Sequence, residues 1–364
     1  MEHFNLIFSK VPTLRFPEFA GEWQDTTLGN VCVYRKTRRT AEKKNYISTE
    51  NILQNYQGAE RFTSNESISG DGFNKNDILM GNIRPYLKKV YYADFDGVCN
   101  ADVLVFKSNL INPHFLYCRL ANDTFINYVM KSVKGSKMPR GDKSHIMQYP
   151  LSIPGEAEQS KISNFVELLT SRIQVQNKII SKYETLIKGL CDMIFRYNKS
   201  VSLSDLVKCK TSALQENMVS TCHRGEYKVL GASGAIAAID TYQFEESGIL
   251  VLKDGSKAGK IQFAQGKYSV VGTSVVLIPN EACDARYLYF AMSSIDFEKY
   301  KVGSGIPHIY FKDYSNERIY YPDKALRKKI TKTLDFYETM VEIERKMLSA
   351  MQKQKAFLLQ SMFI

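Results

Sequence analysis

The feature of this sequence that most restricts its fold is an apolar repeat that occurs twice. Apolar side chains recur at alternating steps of four and three residues, the spacing of a helix that packs along its length against other helices. The first copy follows Pro154 and the second follows Pro322. Because a residue before proline favours an extended conformation, we expect a long helix to begin just after each proline. The positions predicted for helix–helix contact and for subunit docking, with polar breaks at Gln176 and Glu344, are Ile162, Val166, Leu169, Ile173, Gln176, Ile180, Ile330, Leu334, Val341, Glu344 and Leu348.

One such helix would normally be a core helix or the zipper of a homodimer. Two copies in one chain can instead pair with each other in antiparallel fashion and leave one folded domain at each end. The predicted fold class is therefore α+β. It consists of two α/β domains in tandem, each followed by a long helix, with the two helices packed as an antiparallel coiled coil and the chain related to itself by a pseudo-twofold repeat.

The repeat extends into the two domains. The segment 248–252 stands where 77–81 stood, 272–277 matches 100–105, and 303–308 matches 135–140, all at nearly the same offset along the chain. Short strand-like runs alternate with turn signals in both halves. The predicted boundaries are a leader at 1–16, a first domain at 17–153, a first long helix at 154–197, a second domain at 198–321 and a second long helix at 322–364.

This duplicated plan resembles the specificity subunit of Type I restriction–modification enzymes. The resemblance is carried by a Gly-Ser-x-Met/Ile-Pro loop at Gly135 and Gly303, by the X-Pro steps and by the heptad helices. Pro154, Gln159 and Ile162 are similar to the Pro-x-x-x-x-Gln-x-x-Ile entry of the family's first conserved helix. The second copy departs from this pattern, because Arg327 stands where the glutamine would be.

The resemblance implies a non-catalytic subunit that recognises a bipartite sequence in double-stranded DNA. It also implies partners, namely two methyltransferase (modification) subunits that dock on the helices and restriction/translocase subunits beyond them. S-adenosylmethionine, Mg²⁺ and ATP would then belong to those partners, and this chain would bind no cofactor and no metal of its own.

The charge pattern favours a polyanionic partner. The net charge is +11, and its excess lies in local runs, which are better indicators of phosphate contact than the total. A solvated basic loop is the alternative for each run. The DNA-binding candidates in the first domain are Arg35, Lys36, Arg38, Arg39, Lys43, Lys44, Lys134, Lys137, Arg140 and Lys143. Those in the second domain are His223, Arg224, Lys253, Lys257, Lys260, Ser304 and His308.

Two motifs resemble catalytic sites without completing them. The run 254–260 resembles a phosphate-binding loop, but only three residues separate its glycines and Ile261 follows Lys260, so a basic turn that faces DNA is the better interpretation. Asn112-Pro113-His114-Phe115 resembles the Asn-Pro-Pro-Phe/Tyr motif of adenine methyltransferases. Because no glycine-rich turn for S-adenosylmethionine precedes it, Asn112 is interpreted as a helix N-cap. We therefore predict no catalytic residue.

Two other function classes stay open at this point, a methyltransferase or nuclease of unfamiliar type and a coiled-coil adaptor without a role in DNA binding. The seven cysteines are odd in number and widely spaced, which is typical of free thiols in a reducing compartment. The first ten residues lack the pattern of a signal peptide, and no apolar run approaches the ~20 residues that span a bilayer. The expected location is the cytoplasm, with no membrane partner.

Overall fold

The computed structural model describes residues 11–197, 200–219, 225–280, 283–303 and 305–363. The chain divides into two units. The first unit combines Met1–Gln176 with Met347–Ile364, and the second is Asn177–Lys346. The division falls inside both long helices, so each unit holds part of each helix.

The first unit is built on two four-stranded sheets. The strands of its central sheet, in spatial order, are Cys32–Tyr34, Val103–Ser108, Ile78–Gly81 and Val90–Tyr92, all antiparallel to their neighbours. Its second sheet has the order Arg38–Glu42, Ser67–Phe73, Gly97–Cys99 and Tyr46–Ile47. A two-stranded ladder joins Gln24–Thr27 to Pro150–Ile153, just before the first long helix.

The second unit repeats this architecture. The strands of its central sheet, in spatial order, are Val207–Thr211, Ser274–Pro279, Gly248–Leu252 and Ile261–Ala264. Its other sheet has the order Gly234–Ile239, Tyr227–Gly231 and Tyr268–Val270. A short ladder joins Val201–Ser202 to Arg318–Ile319, again just before a long helix.

The strand registers correct one of the repeat matches. Leu79 pairs with Val105 in the first unit and Leu250 pairs with Val276 in the second, so the offset that carries Leu79 to Leu250 also carries Val105 to Val276. Matching 272–277 with 100–105 instead carries Val105 to Leu277 and is wrong by one residue. A slip of one residue turns every side chain of a strand to the opposite face.

Short helices cover the sheets. Those of the first unit are Leu28–Val31, Pro113–Leu120, Asp123–Met130 and Lys143–Met147, with single 3₁₀ turns at Lys43–Asn45 and Pro85–Leu87. Those of the second unit are Leu203–Leu206, Glu216–Val219, Ala285–Met292 and Phe311–Tyr314, with a 3₁₀ turn at Phe297–Tyr300. Asn112 accepts hydrogen bonds from the backbone N–H groups of His114 and Phe115, which confirms it as an N-cap.

The two long helices run over Glu156–Phe195 and Lys324–Ser361, within three residues of the predicted limits at each end. Most of the predicted helix–helix positions are buried, including Gln176 at 5% exposure. The others, half-buried, are Leu169, Ile173, Glu344 and Leu348.

Contacts within each unit pair the helices in opposite directions. In the second unit, Tyr183 packs on Tyr337 with ring centroids 6.4 Å apart, and residues around Phe195 share a core with Ile330. In the first unit, Ile162 shares a core with the last turn of the second helix. The packing is therefore antiparallel in each unit. A coiled coil along the full length stays a prediction.

The described part of the predicted leader, residues 11–16, packs against the first unit. The Leu14 N–H donates to the carbonyl of Ser361 over 2.9 Å. The guanidinium of Arg15 forms a largely buried ion pair with Glu158 at 2.7 Å. Phe363 contacts Trp23, with ring centroids 6.4 Å apart. Residues 11–16 are therefore part of the folded unit rather than a loose leader.

The described cysteines are free thiols. Among the helices in the described ranges, none is both long enough and apolar enough to cross a membrane.

Candidate nucleic-acid interface

Each unit carries a tight loop that ends in a basic or titratable side chain. In the first unit, Lys134 and Arg140 exchange backbone hydrogen bonds of 2.9 Å in both directions. In the second unit, Val302 and His308 do the same over 2.9 and 2.8 Å. We call these segments, 134–140 and 302–308, the paired loops. Their mutual hydrogen bonds fix the backbone on which the exposed side chains stand.

Glycine makes the paired loops possible. Gly135 has φ of +91° and Gly303 has φ of +96°, a region where a side chain is strained. A Cβ on Gly303 would lie 2.8 Å from the carbonyl oxygen of Ile306, and one on Gly135 would lie 3.4 Å from that of Met138. Glycine is therefore required at this point of both loops.

Both paired loops rest on the same place in the central sheet. The Arg84 N–H donates to the carbonyl of Pro139 over 2.8 Å, and the Gly255 N–H donates to that of Pro307 over 2.9 Å. Arg84 and Gly255 follow equivalent strands and both have left-handed backbones, with φ of 51° and 93°. The two units therefore hold their loops in the same way, which the match between 135–140 and 303–308 predicts.

The last residue of each paired loop is held by a carboxylate. Nε and Nη2 of Arg140 both donate to Oδ1 of Asp102, over 3.3 and 3.2 Å. Nδ1 of His308 lies 2.8 Å from Oδ1 of Asp254. The carboxylates come from different points of the repeat, since Asp102 immediately precedes the strand Val103–Ser108 and Asp254 follows the strand Gly248–Leu252.

A small cavity in the first unit brings together cations that are far apart in the sequence. Its volume is about 230 Å³, and Arg35, Lys36 and Lys143 lie around it beside Tyr34 and Ala101. Since Ala101 precedes Asp102, this cavity adjoins the paired loop. Lys36 and Lys143 are exposed, and the part of the chain that the structure describes gives neither an ion-pair partner.

Several other candidates of the first domain are already paired. Arg35 donates to Asp77 over 2.6 Å, and both side chains are largely buried, so the guanidinium of Arg35 is held inside the fold. Further candidates that have protein partners are Arg39 with Asn74, Lys43 with Glu66, Lys44 with Glu42 and Lys134 with Asp142. Arg38 and Lys137 are exposed and, among the described residues, have no ion-pair partner.

Asp142 connects the paired loop of the first unit to the helix that follows. Its carboxylate pairs with Lys134 and accepts hydrogen bonds from the N–H groups of Ser144 and His145 at the start of Lys143–Met147. The hydrogen bond from Lys134, followed by that from the His145 backbone, lowers the pKa of Asp142 to about 2. The carboxylate is therefore ionised at neutral pH.

The basic turn of the second unit exposes Lys257 and Lys260. Both lie with Lys301 around an open depression of about 440 Å³ that Asp296 and Glu298 also line, and Lys301 pairs with Glu298 over 2.6 Å. Lys253 is half-buried and lies 3.9 Å from Asp254. The N–H groups of Gly255, Ala258, Gly259 and Lys260 all donate to protein carbonyls, so they are not available to wrap a phosphate. This agrees with the interpretation of 254–260 as a basic turn.

Three sequence candidates, His223, Arg224 and Ser304, lie outside the described residues. Two residues that the sequence analysis missed belong to the segment whose Arg84 N–H holds the first paired loop. They are Arg84, which is exposed, and Tyr86, which is 48% exposed. The offset between the equivalent central strands places Lys257 of the basic turn on Tyr86. Subtracting this offset from the positions 254–260 would therefore have pointed to both residues.

No group of three or more His, Cys, Asp or Glu side chains that could hold a metal ion occurs among the residues that the structure describes.

Comparison with known proteins identifies the family. The model of the Type I restriction modification DNA specificity domain matches residues 20–185 and again 197–352. The chain belongs to this family. The two matched ranges follow the internal repeat, so the specificity domain is present twice.

Curated relatives of this specificity-domain protein match over shorter stretches. It is 30% identical over 128 residues to the specificity subunit of the Type I restriction enzyme EcoDI of Escherichia coli, a stretch that covers 34% of this chain and 29% of the relative. It is 28% identical over 122 residues to the MjaVIII specificity subunit of Methanocaldococcus jannaschii, covering 32% and 28%. The matched stretch thus spans less than a third of either relative.

Solved structures share the fold of this specificity-domain protein over nearly its whole length. The S subunit of a Type I restriction–modification system from M. genitalium superimposes with a TM-score of 0.63 at 15% identity, covering 97% of this chain and 99% of that one. A chain from work on complex assembly and conformational transition of the type I R-M system gives 0.55 at 16% identity, covering 93% and 96%. At these identities the likeness concerns the fold.

Proposed function

We propose that this chain is the non-catalytic DNA-recognition subunit of a Type I restriction–modification complex and that each unit reads one half of a bipartite target. The observation that carries the proposal is the duplicated paired loop. The same pattern of backbone hydrogen bonds places Arg140 at the end of one loop and His308 at the end of the other, each beside a carboxylate.

The chemistry of these surfaces suits duplex DNA. Lysines mostly neutralise phosphates, which positions a protein without reading sequence, whereas arginine and polar side chains on loops can bond base edges in a groove. Each surface contains both kinds. In the first unit Lys36, Lys137 and Lys143 are exposed cations, and Arg140 is the oriented side chain. In the second unit Lys257 and Lys260 are the exposed cations, and His308 is the side chain that Asp254 orients.

The partner proposal rests on exposed apolar side chains of the two long helices that lie outside the helix–helix positions. Leu168 and Val175 are 69% and 54% exposed on the first long helix, and Phe336 and Ile343 are 57% and 44% exposed on the second. The two pairs occupy identical places in the two copies of the repeat. The number of residues that separates Pro154 from Pro322 also separates each member of the first pair from its counterpart in the second. The members of each pair are spaced by seven residues.

A duplicated apolar stripe suits two copies of one partner. The partner that we propose is the methyltransferase subunit, one copy on each stripe, with the restriction/translocase subunit joining that assembly. S-adenosylmethionine, Mg²⁺ and ATP would be bound by those subunits. The fold that this chain shares with a chain solved in work on complex assembly of the type I R-M system supports this proposal.

The DNA proposal is tested by sequencing methylated motifs in cells that express the full chain together with a Type I modification subunit. The expected result is one motif with two specified halves and an unspecified spacer, absent without this chain. An unsplit motif would contradict the two-reader proposal. Methyl transfer by the purified chain alone would contradict a non-catalytic role, and duplex binding no better than that of a neutral protein would favour an adaptor.

The partner proposal is tested by the stoichiometry of the purified complex in native mass spectrometry. The double variant Leu168→Lys/Val175→Lys should retain one methyltransferase subunit instead of two, and Phe336→Lys/Ile343→Lys should do the same at the other stripe. Asn177→Lys is the control, because Asn177 is exposed and lies about half a turn round the helix from Leu168. Two subunits on both double variants would contradict docking at the stripes.

A further inference from the structure

The arginine that ends the first paired loop is held in a way that suits base recognition better than phosphate contact. Arg140 has five N–H donors, and Asp102 takes one from Nε and one from Nη2 through a single carboxylate oxygen. Both N–H groups of Nη1 and one of Nη2 remain available. One N–H of each Nη points along the end of the guanidinium, the side that can form two parallel hydrogen bonds.

The position of Asp102 distinguishes the two possible roles of Arg140. A loop that only bound phosphate would be weakened by a carboxylate on its arginine, because the carboxylate repels phosphate. The ion pair is also partly exposed, with 49% of the Arg140 side chain and 36% of the Asp102 side chain accessible. Exposed pairs of this kind contribute little to stability. A carboxylate that fixes an arginine reduces the rotamer freedom lost on binding, which favours a directed contact.

We infer that residue 140 is a base-reading position and that Arg140 recognises a guanine through its O6 and N7 acceptors in the major groove. This rests on the proposed DNA-recognition function and names the residue and the base for one half-site. Guanine presents two acceptors at the spacing of the guanidinium end, whereas adenine presents a donor beside its N7.

The second unit holds His308 at the equivalent position. Asp254 occupies Nδ1, so only Nε2 is left to meet a base. One ring nitrogen makes one hydrogen bond where Arg140 makes two. Position 308 therefore discriminates between bases less strictly than position 140, and the two half-sites differ in how sharply this base pair is specified.

The experiment measures binding of the full chain to a randomised duplex library, with Arg140→Ala and Lys137→Ala as a matched pair from the same loop. Arg140→Ala should relax one guanine position by about 10- to 100-fold and leave the others specified. Lys137→Ala should weaken binding to all sequences alike. Equal melting temperatures for the three proteins would establish that the fold is intact.

A second measurement tests whether the N7 atom of the guanine is recognised. Replacing the guanine with 7-deazaguanine removes the N7 acceptor, so affinity of the original chain should fall at one position, while Arg140→Ala should bind both duplexes equally. Asp102→Asn should give an intermediate loss of discrimination. If 7-deazaguanine at each guanine costs the same for both proteins, the inference is wrong although the DNA-recognition function stands. If the original chain shows no sequence preference, the proposed function itself fails.

Discussion

Gln159 ties the start of the first long helix to the chain that precedes it. Its side-chain amide donates to the carbonyl of Pro154 over 2.8 Å in a buried setting, and its side-chain oxygen accepts from the Asn112 N–H over 2.9 Å. In the second copy, Arg327 donates from Nη1 to the carbonyl of Pro322 over 2.5 Å. The sequence departure at Arg327 therefore preserves the hydrogen bond to the proline.

The first prediction concerns this bond. Gln159→Leu should lower the free energy of unfolding by about 1–3 kcal/mol for each group left unpaired, because the carbonyl of Pro154 is buried and loses its donor. Arg327→Gln is the matched control. It can keep the hydrogen bond to Pro322 and loses only the stacking of the guanidinium on Tyr321, worth about 0.5–1 kcal/mol. Urea denaturation measures the free energy of unfolding of both variants. Equal losses would contradict the interpretation that Gln159 and Arg327 have equivalent roles.

The second prediction concerns pH. The pKa of Asp142 is lowered from its ordinary 3.8 to about 2, first by the hydrogen bond from Lys134. A lowered carboxyl pKa stabilises the folded state fully above the ordinary value, and the stabilisation disappears as the pH falls from about 4 to 2. Asp142→Ala should therefore melt below the original chain at pH 7, and the gap should close with acid.

Lys134→Met is the control for that titration. It removes the largest cause of the lowered pKa and keeps the N-cap contacts of Asp142 with Ser144 and His145. The pH dependence should shrink in this variant while part of the neutral-pH stability remains. A melting gap for Asp142→Ala that is unchanged at pH 2 would show that the ionised carboxylate is not the cause.

The third prediction compares the glycines of the paired loops. Alanine at either position is strained by about 1–2 kcal/mol, because both backbones are left-handed. Gly303→Ala should cost more than Gly135→Ala, since its Cβ would lie 2.8 Å rather than 3.4 Å from a carbonyl oxygen. Thermal melting and DNA affinity measure the two effects. Gly155→Ala is the control and should change neither quantity, because its Cβ would meet no atom within 4 Å. A larger cost for Gly135→Ala than for Gly303→Ala would contradict the loop geometry.

The fourth prediction concerns the independence of the two proposed recognition units. Replacing residues 198–321 with the corresponding segment of another family member should change one half of the methylated motif and leave the other half intact. The apolar residues that contact the helix ends, such as Leu288 and Ile319, should be kept, because they share a core with Phe195 and Leu334. Motif sequencing measures the result, and a simultaneous change in both halves would refute independent recognition.

The sequence by itself determined the elements whose information is local. The 4-3 spacing predicted both long helices to within three residues at each end, because every turn of a packed helix repeats the same requirement for an apolar side chain. The N-cap at Asn112 and the glycines of the paired loops were equally readable, since each is dictated by the backbone within a few residues.

The register of the central strands could not be read in this way. The strands Val103–Ser108 and Ser274–Pro279 are buried on both faces along most of their length. A strand of this kind has no alternation of apolar and polar residues, so the sequence contains nothing to exclude a match one residue out. The pairing of Leu79 with Val105 and of Leu250 with Val276 decided it.

Only the tertiary structure decided which cations are held by protein carboxylates and which are exposed. Arg35 and Lys36 are neighbours in the sequence, yet the first is held by Asp77 and the second faces a cavity that Lys143 also lines. Asp102 orients Arg140 although 38 residues separate them. Charge is visible in a sequence, but whether a charge is free depends on which opposite charge the fold brings within a few ångströms of it.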